Sequence, residues 1–284
     1  MNEAVKLMLA RYKCKNLVDH ENALAEVIQE IALLGLWRGK FFEHAAFYGG
    51  TALRILYGLD RFSEDLDFSL LKPTPGFSLK RYAPFIKAEL AAFGFEVEVE
   101  AREKAVATAV ESAFIKAGTM EHLIKIGFQE RVHKEKKITI KFEVDTDPPP
   151  MFATEAKYLL NPIPFSVLTF APPDLFAGKM HAVLCRGWKN RVKGRDWYDL
   201  VWYVQRDTPL HLAHLEARMI QSGHWKDEAP LTPEKFQEVL RAKIAGLDVE
   251  KARVDVRPFL RDFTLLEIWS HEFFTAVAAK VRLE

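Results

Sequence analysis

The residues best equipped for chemistry in this 284-residue chain lie between Tyr48 and Ser69. A glycine pair, Gly49-Gly50, precedes Thr51 and a short helical pattern, and further on Asp65 and Asp67 stand one residue apart in an apolar run. Glycines tolerate positive φ and let the main chain approach a ligand closely. A helix starting there points free N–H groups and its positive dipole end the same way, and Thr51 adds a hydroxyl donor. In a strand, residues two apart share a face, so Leu66, Phe68 and Leu70 face one side and Asp65, Asp67 and Ser69 the other. Neighbouring carboxylates repel unless a cation neutralises them. Hard oxygen ligands suit Mg²⁺, which shares its shell with substrate phosphates and water. The pattern predicts a phosphate cradle beside a divalent-metal site. Each half has an ordinary alternative: Gly-Gly also opens plain turns, and Asp-x-Asp also decorates solvated strand edges. Their joint occurrence, with Arg61 and Ser63 between them, favours the metal site.

Two-metal phosphoryl transfer calls for a further acid. Residues 137–145 alternate cleanly, with Ile138, Ile140, Phe142 and Val144 on one face and Thr139, Lys141, Glu143 and Asp145 on the other. The triplet Pro148-Pro149-Pro150 then stops the sheet. Glu143 and Asp145 both point to the polar face, and either can be the third acid; Asp147, just before the prolines, reads as a turn former.

A second constellation begins at Pro172-Pro173, a fitting helix start, with Lys179 further along that helix and His181 close behind. Five basic side chains follow between Arg186 and Arg195 (Arg186, Lys189, Arg191, Lys193, Arg195), with Trp188 and Trp197 around them. Such a cluster can hold a triphosphate or track an RNA backbone, and its aromatics can stack on a base. Taken singly, Lys179 is as well read as a solvated helix charge, the basic run as an exposed linker, and Asp196 as a partner of Arg195 or of its own helix N-terminus.

The elements that must position these groups follow from periodicity. Residues 1 to about 46 read as helical, through Leu24, Val27, Ile28, Ile31, Ala32 and Leu34, and form an arm packed on the core. Strands are expected at 64–71, 95–100, within 105–117 and at 137–145, with helices at 78–93 and near 119–127. The face carrying Glu96, Glu98 and Glu100 reads as solvated. From about Pro172 strands fade, and helices are expected at 173–186, 195–205, 210–221, 232–245 and 256–281. The boundary between an α/β half and a helical half falls at 161–172, giving expected domains of 1–165 and 166–284.

Composition sets outer limits. With 49% hydrophobic and 28% charged residues and 21 phenylalanines, the chain can fill one large or two smaller cores. A net charge of +1 gives no global signature of nucleic-acid binding, so any RNA contact must be local. Cys14 and Cys185 read as reduced thiols rather than a disulfide or metal pair. His44, His122, His133 and His181 show no ligand-like spacing, and no Ser–His–Asp or Cys–His nucleophile arrangement is present. No signal segment or membrane-length apolar run is seen, so a cytoplasmic protein without membrane contact is expected.

Gly49, Gly50 and Thr51, followed by Arg61, Ser63, Asp65 and Asp67, resemble the first motif of the DNA-polymerase-beta-like nucleotidyltransferases. The wording Gly-Gly-Thr-Ala-Leu, then Arg-x-Ser-x-Asp-Leu-Asp-Phe, is closest to the AbiEii toxin family. The resemblance covers roughly residues 45–205. It implies an α+β fold, a polymerase-beta-like nucleotidyltransferase core with a mixed sheet followed by a helical C-terminal domain that completes the nucleotide and acceptor site. It implies a metal-dependent, NTP-using enzyme, with Asp65, Asp67 and Glu143 holding Mg²⁺ or Mn²⁺, because the family places its third acid inside a strand between two apolar residues. Lys179 matches the family's lysine that contacts nucleotide phosphate. Arg195, Asp196 and Asp199 match its final motif, whose first aspartate is needed for activity, while Asp199 is expected to brace Arg195 or Lys179. The expected site thus comprises Asp65, Asp67, Lys179 and Asp196 as catalytic residues, with Gly49, Gly50, Thr51, Arg61, Ser63, Arg195 and Asp199 binding substrate. Members of that family are toxins paired with a separate antitoxin and modify RNA, with tRNA 3′ ends as the known acceptor class. Two other readings use the same residues: transfer to a protein hydroxyl or small molecule, and a non-catalytic nucleotide-binding module.

Overall fold

The structure is a computed structural model that describes residues 2–102, 110–118, 137–187 and 192–284. The helix expected near 119–127, His122, His133, Trp188, Lys189 and Arg191 lie outside the described residues, as does the start of the 105–117 strand. The chain divides into two compact units. The first comprises residues 1–58, 62–148 and 155–169; the second comprises 59–61, 149–154 and 170–284.

In the first unit, helices α1 (Glu3–Ala10) and α2 (Leu17–Arg38) precede β1 (Ala45–Tyr48) and α3 (Gly49–Tyr57). Then come β2 (Leu66–Leu70), α4 (Ala83–Ala92), β3 (Val97–Arg102), β4 (Val110–Gly118), β5 (Lys137–Asp145), β6 (Thr154–Leu159) and β7 (Phe165–Phe170). The described strands form one mixed sheet in the order β3-β4-β5-β2-β1-β7-β6. β1 pairs antiparallel with β2, while β2 pairs parallel with β5 and β1 parallel with β7. Strands β2, β3, β4 and β5 fall where the alternation predicts them. β1, β6 and β7 are additions to that reading. Phe165–Phe170 buries most of its side chains, and a short buried parallel strand shows little of the alternation that betrays a half-exposed one.

The sheet's buried face is set by aromatic rings. Phe47, Phe68 and Phe142, from the adjacent strands β1, β2 and β5, stack in succession with centroids 5.0 and 4.7 Å apart. Phe41 meets Phe68 edge-on at 4.9 Å. All four are fully buried. The helical arm covers this core with Leu24, Val27, Ile28, Ile31 and Leu34. It also carries polar groups inward: Glu26 receives Arg54 of α3 at 2.8 Å, and Gln29 Nε2 donates to the carbonyls of Ser63 and Glu64. These bonds fix both the helix behind the glycine pair and the segment leading into β2.

The second unit is helical, with α5 (Pro172–Cys185), α6 (Gly194–Gln205), α7 (Leu212–Gln221), α8 (Pro233–Ala245), α9 (Val249–Val256) and α10 (His271–Ala278). The single helix expected over 256–281 is broken instead. Pro258 sits in a 3₁₀ turn at Arg257–Phe259, and the Asp262 carboxylate accepts from the backbone N–H of Thr264 to turn the chain before α10 begins at a Ser270 cap. Gly194 starts α6 hard against α9, where a Cβ would lie 1.8 Å from the Ala252 carbonyl oxygen.

The centre of this unit holds an ion pair. Arg61 donates through Nε and Nη2 to the two oxygens of Asp199 on α6, each at 2.6 Å, with side chains 2% and 0% exposed. Burial opposes the charge on Arg61, yet the Asp199 carboxylate outweighs it and holds the guanidinium pKa above its ordinary value. Removing one member of such a pair strands the other in a low-dielectric interior. Arg61→Met is therefore expected to destabilise the protein by about 3 kcal/mol. Arg61→Met/Asp199→Leu is expected to recover only part of that loss, because Lys179 then keeps Asp196 alone, as read from the midpoints of denaturant unfolding.

Candidate active site

The site in the first unit is built on β1, α3, β2 and β5. The chain leaves β1 at Tyr48 and turns directly into α3, with Gly49 at φ +83°. That conformation suits glycine, and a second constraint forbids a side chain there: a Cβ on Gly49 would lie 2.6 Å from Oδ2 of Asp67. The bend and the carboxylate are thus in contact. Gly50 and Thr51 follow in the first turn, whose N–H groups have no partner within the helix. Thr51 is buried and its hydroxyl donates to the backbone carbonyl of Asp65. It anchors α3 to the residue that leads into β2.

Strand register aligns the acids. Asp67 is the direct partner of Glu143 across the parallel β2–β5 pairing, and Leu66, Phe68 and Ser69 partner Phe142, Val144 and Asp145. Since Leu66, Phe68, Phe142 and Val144 are buried, Asp67 and Glu143 share the opposite face. Glu143 is held by Lys141 at 2.7 Å and approached by the Ser112 hydroxyl at 3.4 Å. Asp145, the alternative third acid, has its Oδ1 accept from the Asp147 N–H at 3.0 Å in the turn that ends β5. Asp65 lies just before β2, half-buried, as does Ser63. The oxygens of Asp65, Asp67 and Glu143 do not draw together as one tight group of three; among the described residues that closeness belongs to His181, Cys185 and His224. Lys141 holds the Glu143 carboxylate, and like charges keep carboxylates apart. The paired Asp67 and Glu143, with Asp67 against the glycine bend, nevertheless offer hard oxygen donors beside a phosphate-binding turn, which fits Mg²⁺.

The second unit holds the other expected residues. Lys179 on α5 lies 3.0 Å from Asp196 and 2.8 Å from Asp199, both on α6. Arg186 reaches Asp196 from the other side at 3.2 Å. Burial opposes charge on Lys179, but the two aspartates outweigh it and raise its pKa. Burial likewise opposes charge on Asp196, and Lys179 and Arg186 outweigh that to hold its carboxyl below the usual range. Beside Asp196 is a cavity of about 270 Å³ lined by Arg186, Lys193, Asp196, Trp197 and Lys243 among others. Burial lowers the Lys193 pKa, and repulsion from Arg186 adds to it.

Several expectations change here. Arg61 and Asp199, expected to bind substrate, are buried and paired with one another, and Asp199 also takes Lys179, an arrangement that braces α5 and α6. Asp199 braces Lys179 as expected, but its other partner is Arg61 and not Arg195, whose guanidinium lies 4.0 Å above the Phe259 ring. Trp197, expected to be available for base stacking, is 4% exposed and packs edge-on against Phe274. Glu26 and Gln29 escaped notice as positioning residues; their signal was polar side chains within the most apolar stretch of α2.

The profile of the nucleotidyl transferase AbiEii toxin family, type IV TA system, matches residues 31–279. No curated protein matches the sequence significantly. Among solved structures, the chain is similar to a protein described as a candidate nucleotidyltransferase from H. pylori, with 17% identity, a TM-score of 0.50 and 88% of each chain covered. It is also similar to JHP933 from Helicobacter pylori, with 17% identity, a TM-score of 0.49, and coverage of 90% of this chain and 88% of that one. The first of these likenesses extends the match to the fold. With the family profile spanning most of its length, the chain belongs to the AbiEii nucleotidyltransferase toxin family of type IV toxin–antitoxin systems.

Proposed function

We propose that this nucleotidyltransferase is metal-dependent and moves a nucleotide from an NTP to the 3′ hydroxyl of an RNA, with tRNA as the acceptor class. The observation that carries this reading is the pairing of Asp67 with Glu143 on one face of the sheet, with the Asp67 carboxylate against the Gly49 bend. Main-chain N–H groups at Gly50 and Thr51 receive the triphosphate, aided by the dipole of α3. Asp65, Asp67 and Glu143 would hold Mg²⁺ or Mn²⁺, which when bound offsets charge on the triphosphate and the departing pyrophosphate. Ser63 is available to a phosphate at the mouth of β2. Within the second unit, Lys179 is the cation that the family likeness assigns to phosphate, and Asp196 and Asp199 hold that ammonium in place. Arg186, Lys193 and Lys243 give the second unit a cationic pocket suited to a nucleic-acid backbone, with Arg195 nearby in sequence. The family also implies a cognate antitoxin protein as partner.

The test is incubation of the purified protein with each radiolabelled NTP and either total tRNA or a cell extract. Label on RNA supports the reading. Label on protein or on a small molecule, or no label at all, favours one of the alternatives set out from the sequence.

Three outcomes are expected. Asp67→Asn should lower transfer by at least about a hundredfold, in keeping with loss of a principal electrostatic contributor, while its circular dichroism matches wild type. Lys193→Ala/Lys243→Ala should weaken RNA binding and reduce its salt slope by roughly 1 to 2 in log–log form, measured by filter binding across a salt series. The third outcome concerns pH. The folded pKa of Asp196 is depressed, so its stabilisation is present above the unfolded value of about 4 and lost as pH falls through the folded one. The folded pKa of Lys179 is raised, so its stabilisation is present below the unfolded value of about 10.4 and lost as pH rises through the folded one. The contribution of this pair should be constant between these limits, and in Lys179→Met the alkaline decline of the denaturant midpoint should shrink.

A further inference from the structure

The helical unit contains a group of side chains that the transferase reading leaves unused. His181 and Cys185 lie four residues apart on α5, a spacing that puts both on one helix face. His224 follows α7 in a turn whose Gly223 takes φ +73°. Met219 fixes that turn, its carbonyl accepting from the backbone N–H groups of His224 at 2.8 Å and Trp225 at 3.1 Å. Trp225 is itself buried and donates to the Ala229 carbonyl. One ligand atom from each of His181, Cys185 and His224 lies within 4.8 Å of the other two. The two imidazoles converge on one point: the Ser222 hydroxyl lies 2.8 Å from Nε2 of His181 and 2.9 Å from Nδ1 of His224.

We propose that His181, Cys185 and His224 form a zinc site that ties α5 to the turn after α7. Two imidazoles and a thiolate are the donor set that favours Zn²⁺ over hard cations such as Mg²⁺. Zinc–nitrogen and zinc–sulfur distances of about 2.0 and 2.3 Å need only a modest inward rotation of side chains already this close. Three protein ligands leave a fourth position for water, and Ser222 is placed to orient a ligating ring by hydrogen bonding, as outer partners of zinc histidines do. Burial pushes the His181 pKa down to about 4, with repulsion from Arg218 adding to it, so the ring is neutral near pH 7, as ligation requires. Burial pushes the Cys185 thiol up to about 11, so the bound ion must displace its proton to solvent, one H⁺ per Zn²⁺. The resulting thiolate halves the charge the ion brings toward Arg218 and Arg186. Cys14 lies in the first unit and serves as an internal control.

The experiment is a Co²⁺ titration of the full-length, chelator-stripped protein, read by absorption and followed by Zn²⁺ competition. One Co²⁺ per chain is expected, with a thiolate-to-cobalt charge-transfer band that Zn²⁺ abolishes. Cys14→Ser should keep the band and Cys185→Ser should lose it. His224→Ala changes an exposed residue and so leaves the fold intact; it should weaken Co²⁺ binding at least about tenfold. A folded wild-type protein showing no thiolate band, or a band that survives Cys185→Ser, overturns the proposal, as does unchanged affinity in His224→Ala. None of these readouts depends on nucleotide transfer.

Discussion

The alignment of β2 on β5 is the constraint on which the first unit's chemistry depends. A strand shows one face to the core and the other away from it, so a slip of one residue inverts every side chain. Here the slip is blocked by Phe47, Phe68 and Phe142, three large rings stacked across neighbouring strands with no exposed surface. Moving β2 by one position would push Phe68 out of that stack and bury Asp67 in its place. An unpaired carboxylate in an apolar interior is among the costliest substitutions a core can suffer. The rings thus set where the acids stand without touching them, and α2 reinforces the arrangement through Glu26 and Gln29.

The second unit reaches order by other means. Its central helices are joined by charge: Asp199 takes Arg61 and Lys179, and Asp196 takes Lys179 and Arg186. Such a lattice stabilises little compared with a well-packed apolar core, but it tolerates few alternative arrangements because each carboxylate demands its partners. The effect is to hold one ammonium, that of Lys179, between two carboxylates with its side chain 13% exposed.

Much of the first unit was legible from sequence because its signals are local. The alternation of 137–145 and of the run after Asp65 fixes which residues share a face, and the glycine pair marks the bend. Alternation alone leaves Glu143 and Asp145 on the same polar face; in the structure Glu143 is the register partner of Asp67, and Asp145 accepts in the turn that ends its strand. What escaped were relations between distant residues. Arg61 and Asp199 are 138 positions apart, and no periodicity links them. Arg61 therefore read as a brace for the acidic site that could also reach a phosphate, and its partner Asp199 went unforeseen. Trp197 looked available because it stands in a basic run, yet α6 turns it into the core. His181 read as lacking ligand-like spacing and Cys185 as a plain thiol, and His224 becomes their neighbour only through the fold.

The contrast between the two aspartates bears on how a harmless form of such a protein is best made. Asp196 is held by cations, and neutralising it would leave Lys179 and Arg186 short of a counter-charge, so a protein altered there would be a weakened one. Asp67 is half-buried and stands beside another acid on the neighbouring strand. Swapping its carboxylate for an amide keeps the side chain's size and removes no core packing. A variant at that position spares the buried charge network of the second unit, which a change at Asp196 would not.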